Sequence, residues 1–181
     1  MRFDELIQAR RSVRNYQPKA VEAEKLLALI EAVRLAPSAS NAQPWKLILV
    51  DDPKIKDQAA KATFSKTVSF NQFAVEAPVI AVLTIEKQPV ITQVGGWLKD
   101  RAFDLIDIGI AAEHFCLQAT ELGLGTCMLG CFDEAEIKKI LQVPRAIRVA
   151  LVITVGYEAE NRQPRPKVRK AAEAMSSRNQ Y

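Results

Sequence analysis

The stretch from about Lys99 to Leu122 sets the tightest limit on what this chain can fold into. Phe103, Leu105, Ile106, Ile108, Ile110, Ala111, Phe115, Leu117 and Ala119 spread over most of the circumference of the helix it predicts. A helix that is apolar nearly all round must be buried on nearly all sides. A chain of 181 residues supplies one core and one domain, covering residues 1–181. Burying such a helix therefore hints at a second copy of the same chain.

Around that helix, strand and helix patterns intermix. Lys46–Val50, Pro78–Ile85 and Val149–Val155 are near-continuous apolar runs of strand length. A fourth, short strand is expected after Gly123-Leu124-Gly125, whose first glycines suit a helix C-cap. Further helices are predicted from Met1 to about Ala9, Val21 to Leu35, Pro53 to about Ala62 and Glu134 to about Leu141. Pro18 and Pro37 break the chain between them, and Asp52 and Asp133 stand at N-cap positions. Thr63–Phe73 reads as loop or frayed helix, and Glu86–Trp97 as a surface excursion or lid. The tail from Glu158 is basic and poor in apolar residues, so it is either disordered or draped over a partner.

Several function classes fall away. Apolar residues make up 49% and charged residues 25%, values of an ordinary globular protein. The net charge of +4 is mild and lacks a basic face with interleaved aromatics, which argues against nucleic acid as a partner. No run approaches the ~18 apolar residues of a membrane span, and the first residues show no apolar h-region. Cys116, Cys127 and Cys131 are odd in number and lie in apolar surroundings, which reads as reduced, buried thiols of a cytoplasmic protein. No metal site is expected: the single histidine is His114 and no CxxC occurs.

Two stretches can hold a ligand. Arg10-Arg11-Ser12-Val13-Arg14 packs three guanidinium groups and a hydroxyl into five residues. Guanidinium forks match phosphate oxygens in shape and charge, although a solvated cationic helix end accounts for the same residues. Pro37-Ser38-Ala39-Ser40-Asn41-Ala42-Gln43-Pro44-Trp45 brackets small polar residues with prolines. It is either a donor-rich loop that lets backbone approach a flat ligand or a plain helix-to-strand connection. No nucleophile motif accompanies them. His114 reads as structural, and Asp107 and Glu113 as makers of interface or capping bonds. Anion clamps without acid–base machinery are what a protein shows when a bound cofactor carries the reaction.

These two motifs, then Gly123-Leu124-Gly125-Thr126-Cys127-Met128-Leu129-Gly130-Cys131-Phe132, then Lys167-Val168-Arg169, occur in the order found in the nitroreductase family of FMN-dependent oxidoreductases, which the chain resembles. The resemblance implies an α+β fold: a central mixed, mainly antiparallel sheet flanked by helices. It also implies an intertwined homodimer with two FMN sites at the interface. Carried over residue by residue, Arg10, Arg11, Ser12 and Arg14 would hold the phosphate and ribityl chain, with Lys167 and Arg169 closing on the same phosphate. The segment 158–181 would be an arm reaching over the partner subunit. Pro37, Ser38, Ala39, Ser40 and Asn41 would border the ring from the other chain. The amides of Leu129 and Gly130 would face its N5/O4 edge, and Asn71 or Gln72 its pyrimidine side. No side chain is assigned a catalytic role.

The implied activity is hydride transfer from NADH or NADPH through flavin N5 to a small electron acceptor, a nitroaromatic or quinone, by a ping-pong route. The alternatives are a relative with a specialised flavin reaction (dehalogenation or flavin breakdown), a non-catalytic flavin-binding protein, and a structural dimer without cofactor. Phe70, Phe73 and Trp97 are open between pocket and core.

Overall fold

The computed structural model describes residues 1–65, 67, 69–86, 102–160 and 166–181. Trp97 and the lid expected at 86–97 lie, beyond Glu86, outside the described residues. Nine regular elements are described: α1 (Phe3–Ala9), α2 (Ala23–Arg34), β1 (Trp45–Val50), α3 (Pro53–Lys61), β2 (Val79–Ile85), α4 (Phe103–Glu121), β3 (Gly125–Leu129), α5 (Glu134–Ile140) and β4 (Arg148–Gly156). The chain is therefore α+β, as the family resemblance implies.

The four strands form one open sheet in the order β1-β2-β4-β3. Every neighbouring pair is antiparallel, and one isolated parallel bridge, Ser12 with Thr126, adds the mixed character. β2 and β4 occupy the centre. Alternation along β2 divides the core in two. Ile80 and Val82 face a layer that includes Ala59, Ala60 and Ile137 of α3 and α5. Val79, Ala81 and Leu83 face Leu29, Val33, Ile108 and Phe115 of α2 and α4. A strand buried on both faces reads as an unbroken apolar run, which is why the pattern was legible.

Caps fix the helix starts. The Asp52 carboxylate accepts from the Lys54 and Ile55 amides, both at 3.0 Å, with Pro53 in the first turn. The Asp133 carboxylate accepts from the Glu136 amide at 3.0 Å. Of the two glycines expected to cap α4, Gly123 does so at φ +74°, whereas Gly125 opens β3.

α4 takes only part of its burial from its own chain, and one expectation about the thiols is corrected. Within one chain α4 buries Ile108, Ala111, Ala112, Phe115, Cys116 and Ala119 but leaves Leu105 and Ile106 exposed, because one chain packs α2 and the sheet against only part of its circumference. Cys116 and Cys127 are buried thiols, but Cys131 is exposed, since it follows the last residue of β3 where the chain leaves the sheet.

Candidate functional site

The arginine cluster begins where α1 stops. Arg10 takes an extended conformation (φ −56°, ψ 127°), and the chain then runs along the sheet edge rather than continuing as helix. The Val13 amide donates to the Thr126 carbonyl of β3 at 2.8 Å, and the Gln17 amide to the Tyr157 carbonyl at 2.8 Å. Tyr16 forms a bridge with Glu158. Val13 and Tyr16 are buried, while Ser12 and Arg14 are exposed. The buried Tyr16 hydroxyl reaches the Val13 carbonyl at 2.9 Å and Thr154 Oγ1 at 2.6 Å. Burial pushes its pKa up, so it remains a neutral phenol.

Two glycines make room for this segment. A Cβ on Gly125 would lie 2.6 Å from Val13 Cγ2, and one on Gly156 would lie 3.0 Å from Tyr16 Cδ1 and 2.4 Å from Pro78 Cδ. Backbone approach this close requires the missing side chain.

Cations from both ends of the chain meet here. Arg10 Nη2 pairs with Glu113 of α4 at 3.2 Å. Arg11 grips Glu158 side-on through Nε, at 3.3 Å, and Nη2. Arg14 donates to the Ser12 carbonyl at 3.3 Å and lies 5.9 Å from the centre of the Phe73 ring. Lys167 donates to the Ile7 carbonyl of α1 at 2.8 Å. Partial desolvation holds its ammonium below the usual lysine range, and the charges of Arg169, Arg10 and Arg11 add to that. Lys167 thus lies within the field of Arg10, Arg11 and Arg169, Arg14 adjoins Ser12, and Glu113 and Glu158 pair with Arg10 and Arg11. Arg10 Nε is buried with no hydrogen-bond partner among the described residues.

The thiols beside this cluster are inert in place. Burial pushes Cys116 up to about 11, against the opposing pull of a Thr126 hydrogen bond and the Arg10 charge. Cys127 is likewise raised by burial. His114 places Nδ1 2.9 Å from the Ile110 carbonyl one turn earlier, a local helix contact.

The proline-bracketed loop carries three non-glycine residues in the left-handed region: Ser40 at φ 51°, Asn41 at φ 54° and Gln43 at φ 44°. Such conformations are unfavourable for L-residues and persist where surrounding bonds over-determine them. The Ser38 hydroxyl accepts from the Gln43 amide at 2.9 Å, and Gln43 Nε2 donates to Asn41 Oδ1 at 3.0 Å. From outside the loop, Asp107 of α4 accepts the Ala39 amide at 3.0 Å. Pro37, Ser40 and Asn41 are exposed, and Ser38 and Ala39 half-buried.

The third group lies at the end of β3. Leu129 is buried and Gly130 is exposed. Gly130 and Cys131 form one wall of a cavity of about 720 Å³ whose other wall includes Thr63, Phe64 and Ser65. Behind it, the buried Asn71 donates through Nδ2 to the Thr63 and Cys131 carbonyls, both at 3.0 Å. Its amide nitrogen is thus committed to joining the two walls. Gln72 is exposed, as is Phe70.

Among the sequence-predicted residues, Lys167 lies near Arg10, Arg11 and Arg169, with Ser12 and Arg14 alongside in sequence; Gly130 lines the cavity, Asn71 stands behind it and Leu129 is buried at the end of β3. The Pro37–Asn41 loop stands apart on its Asp107 anchor. Sequence reasoning left out Thr63, Phe64, Ser65 and Cys131, whose two segments are joined by the Asn71 amide and by the 2.8 Å bond from the Asp133 amide to the Ala62 carbonyl. It gave Asp107 and Glu113 general bonding roles; the structure attaches each to a candidate binding segment. The two lie about 9 Å apart along α4 at 1.5 Å per residue.

A sheet flanked by helices and an edge segment dense in cations, with no nucleophile or acid–base pair among the described residues, define the class: an α+β protein with a cationic edge suited to an anion. Residues 7–157 match the Nitroreductase family, and the chain belongs to that family. It is thereby an enzyme of the NAD(P)H-dependent oxidoreductase kind. A Bacillus subtilis protein that carries an NAD(P)H nitroreductase name, YdgI, is 38% identical, with 87% of this chain and 89% of that protein aligned. An iodotyrosine deiodinase from Thermotoga neapolitana is 25% identical over 90% of each chain. The solved structure of an FMN-dependent nitroreductase from Clostridium difficile superposes with a TM-score of 0.78 at 26% identity, covering 97% of this chain and 98% of that one.

Proposed function

We propose that the protein is an FMN-dependent oxidoreductase that takes hydride from NADH or NADPH and delivers it to nitroaromatic or quinone-like acceptors. The observation that carries this reading is the clustering of Lys167 with Arg10, Arg11 and Arg169, beside Ser12 and Arg14, with Glu113 and Glu158 as the paired carboxylates among the described residues. That excess of positive charge suits a dianionic phosphate monoester.

FMN bound there would supply a ring that accepts hydride from one substrate and passes it to the next. This chain's own residues bind, orient and tune. Arg10, Arg14 and Arg169 neutralise the phosphate, with Arg11 and Lys167 adding to the field, and Ser12 supplies a neutral donor. Leu129 and Gly130 offer backbone amides where negative charge grows on reduction, which favours the reduced ring. Asn71 fixes the cavity wall beside them. The small side chains of Ser38, Ala39 and Ser40 leave backbone close to a flat ligand, with Pro37 and Asn41 shaping the entry.

A homodimer is part of the same proposal. Leu27, Ile30, Leu35, Leu105 and Ile106 stand exposed on α2, just after it and on α4, the apolar surface that a second copy would cover. Val168 and Met175 on the exposed arm have the same need. The arm of residues 158–181 would pass over the second chain beyond the point where Lys167 touches α1.

Purification with added FMN tests the reading. The expected product is a yellow dimer whose flavin bands bleach anaerobically with NADH or NADPH. One site used in turn by donor and acceptor gives parallel double-reciprocal lines. A colourless protein that cannot be reconstituted refutes it, and turnover confined to halogenated phenols would place the chain with the deiodinase relatives.

A further inference from the structure

Asp107 stands out because the proposed chemistry makes no use of it. It is 2% exposed, Oδ1 accepts the Ala39 amide at 3.0 Å, and Oδ2 is buried without a partner among the described residues. The amide it holds begins the stretch in which Ser40, Asn41 and Gln43 all take left-handed conformations. The Ser38–Gln43 and Gln43–Asn41 bonds close that loop on itself; the Asp107 bond fastens it to the scaffold. Ala39 and Asp107 lie 68 positions apart, so the contact is tertiary and not a local turn. A left-handed run is unfavourable in a free chain and needs outside restraint to keep one shape.

We infer that Asp107 is a positioning residue: through the Ala39 amide it sets the shape of the Ser38–Gln43 loop, and so the affinity for the flat part of the cofactor, while the cationic clamp works independently. The inference rests on the FMN reading above. Its requirement is an acceptor oxygen at Oδ1 and not a negative charge, since the second oxygen is unpartnered. A Pro at position 39 would remove the donor at little backbone cost, because Ser38 at φ −146°, ψ 158° already has the extended shape required before proline.

The test measures the Kd for FMN by fluorescence quenching, the inhibition constant of inorganic phosphate against FMN, and hydrogen exchange at the Ala39 amide. Asp107→Ala is expected to raise the Kd for FMN at least tenfold and to speed Ala39 exchange at least tenfold, with the phosphate constant within twofold of the parent. Asp107→Asn keeps the acceptor and should stay within threefold of the parent in all three. Ala39→Pro should match Asp107→Ala in FMN affinity, and the double variant should be no worse than either. The inference is overturned if Asp107→Ala binds FMN like the parent, if Asp107→Asn is as weak as Asp107→Ala, or if the phosphate constant rises in parallel. Should Asp107→Ala not fold, Ala39→Pro and Asp107→Asn decide by the same comparison. A parent protein that binds neither FMN nor phosphate fails the functional reading instead, and unchanged Ala39 exchange in Asp107→Asn and Asp107→Ala alike still refutes the anchor.

Discussion

Gly125→Ala is the perturbation that separates the clamp's backbone from its charges. The added Cβ would meet Val13 at 2.6, 2.8 and 2.9 Å, on both methyls and on Cβ itself. Val13 is a stiff, β-branched residue packed in the core, so it cannot swing aside as a long side chain would. The edge segment must move off β3, stretching the 2.8 Å bond from the Val13 amide to the Thr126 carbonyl. Overpacking of this kind costs about 1–3 kcal/mol, which for a chain of this size lowers Tm by about 2–12 °C. Arg10, Ser12 and Arg14 flank Val13 and shift with it. Loss of one charge-assisted contact, worth about 1.5–3 kcal/mol, raises the Kd for FMN at least about tenfold. Flavin titration with parallel thermal melts measures both effects. Val13→Ala in the Gly125→Ala background removes the two methyl contacts and should recover part of each loss. A Gly125→Ala variant that melts with the parent and keeps its flavin refutes the claim that edge packing sets clamp geometry.

Further outcomes follow from the same contacts. Arg10→Ala, Arg14→Ala and Arg169→Ala should each raise the Kd for FMN about tenfold or more while leaving the far-UV spectrum unchanged; three variants that retain flavin through dialysis like the parent would show the clamp to be misassigned. Tyr16→Phe leaves the buried Thr154 hydroxyl without its 2.6 Å partner, so stability should fall by about 1–3 kcal/mol in denaturant titrations, and an unchanged midpoint would contradict the assignment. Iodoacetamide at pH 8 should label the exposed Cys131 in the folded protein and spare Cys116, whose thiol is pushed up to about 11; mass mapping reads the result. Glu134 is held below the ordinary carboxylate range by Lys138 and by the Val149 amide. A depressed folded pKa gives stability that is present above the unfolded value near 4.5 and fades as pH falls through the folded one. Glu134→Gln should therefore flatten the acid limb of the melting curve and leave its neutral limb lower than the parent's.

The scaffold was legible because its signals are local. Apolar runs at 46–50, 78–85 and 149–155 mark strands that one-sided patterns would not, and Asp52 and Asp133 announce helices by a bond three residues long. The N-terminal part of the cation cluster was visible for the same reason, as three arginines within five consecutive residues. Its organisation was hidden. Arg10 meets Glu113 across 103 positions and Arg11 meets Glu158 across 147, and no short pattern encodes such pairs. Gly125 looked like a second capping residue beside Gly123; only the position of Val13 explains its missing side chain. Asn71 was singled out for a ligand, while the structure gives its amide nitrogen to two carbonyls that wall the cavity. Cys131 sits in an apolar stretch but is exposed, because burial follows strand pairing and β3 stops at Leu129.

The two halves of the clamp are built differently, and the difference bears on how an anion is held. The N-terminal half is shaped by groups that carry no charge: the Val13 amide on β3, the Tyr16 phenol on Thr154 and two glycines that admit them. Its geometry therefore does not depend on the anion that would balance Arg10 and Arg14, and mutual repulsion among the cations is opposed by sheet pairing. The C-terminal half lies on an exposed arm, with Lys167 fixed by one bond to the Ile7 carbonyl and Arg169 donating to its own neighbour's carbonyl. A site with one side preformed avoids most of the ordering cost of binding, because only the second side must be immobilised. The depressed Lys167 ammonium is consistent with this: partial desolvation, and after it the charges of Arg169, Arg10 and Arg11, disfavour its charged form. On the function proposed above, a bound phosphate would relieve repulsion among these cations as well as accept new hydrogen bonds, so cations drawn from opposite ends of the chain would act as one device.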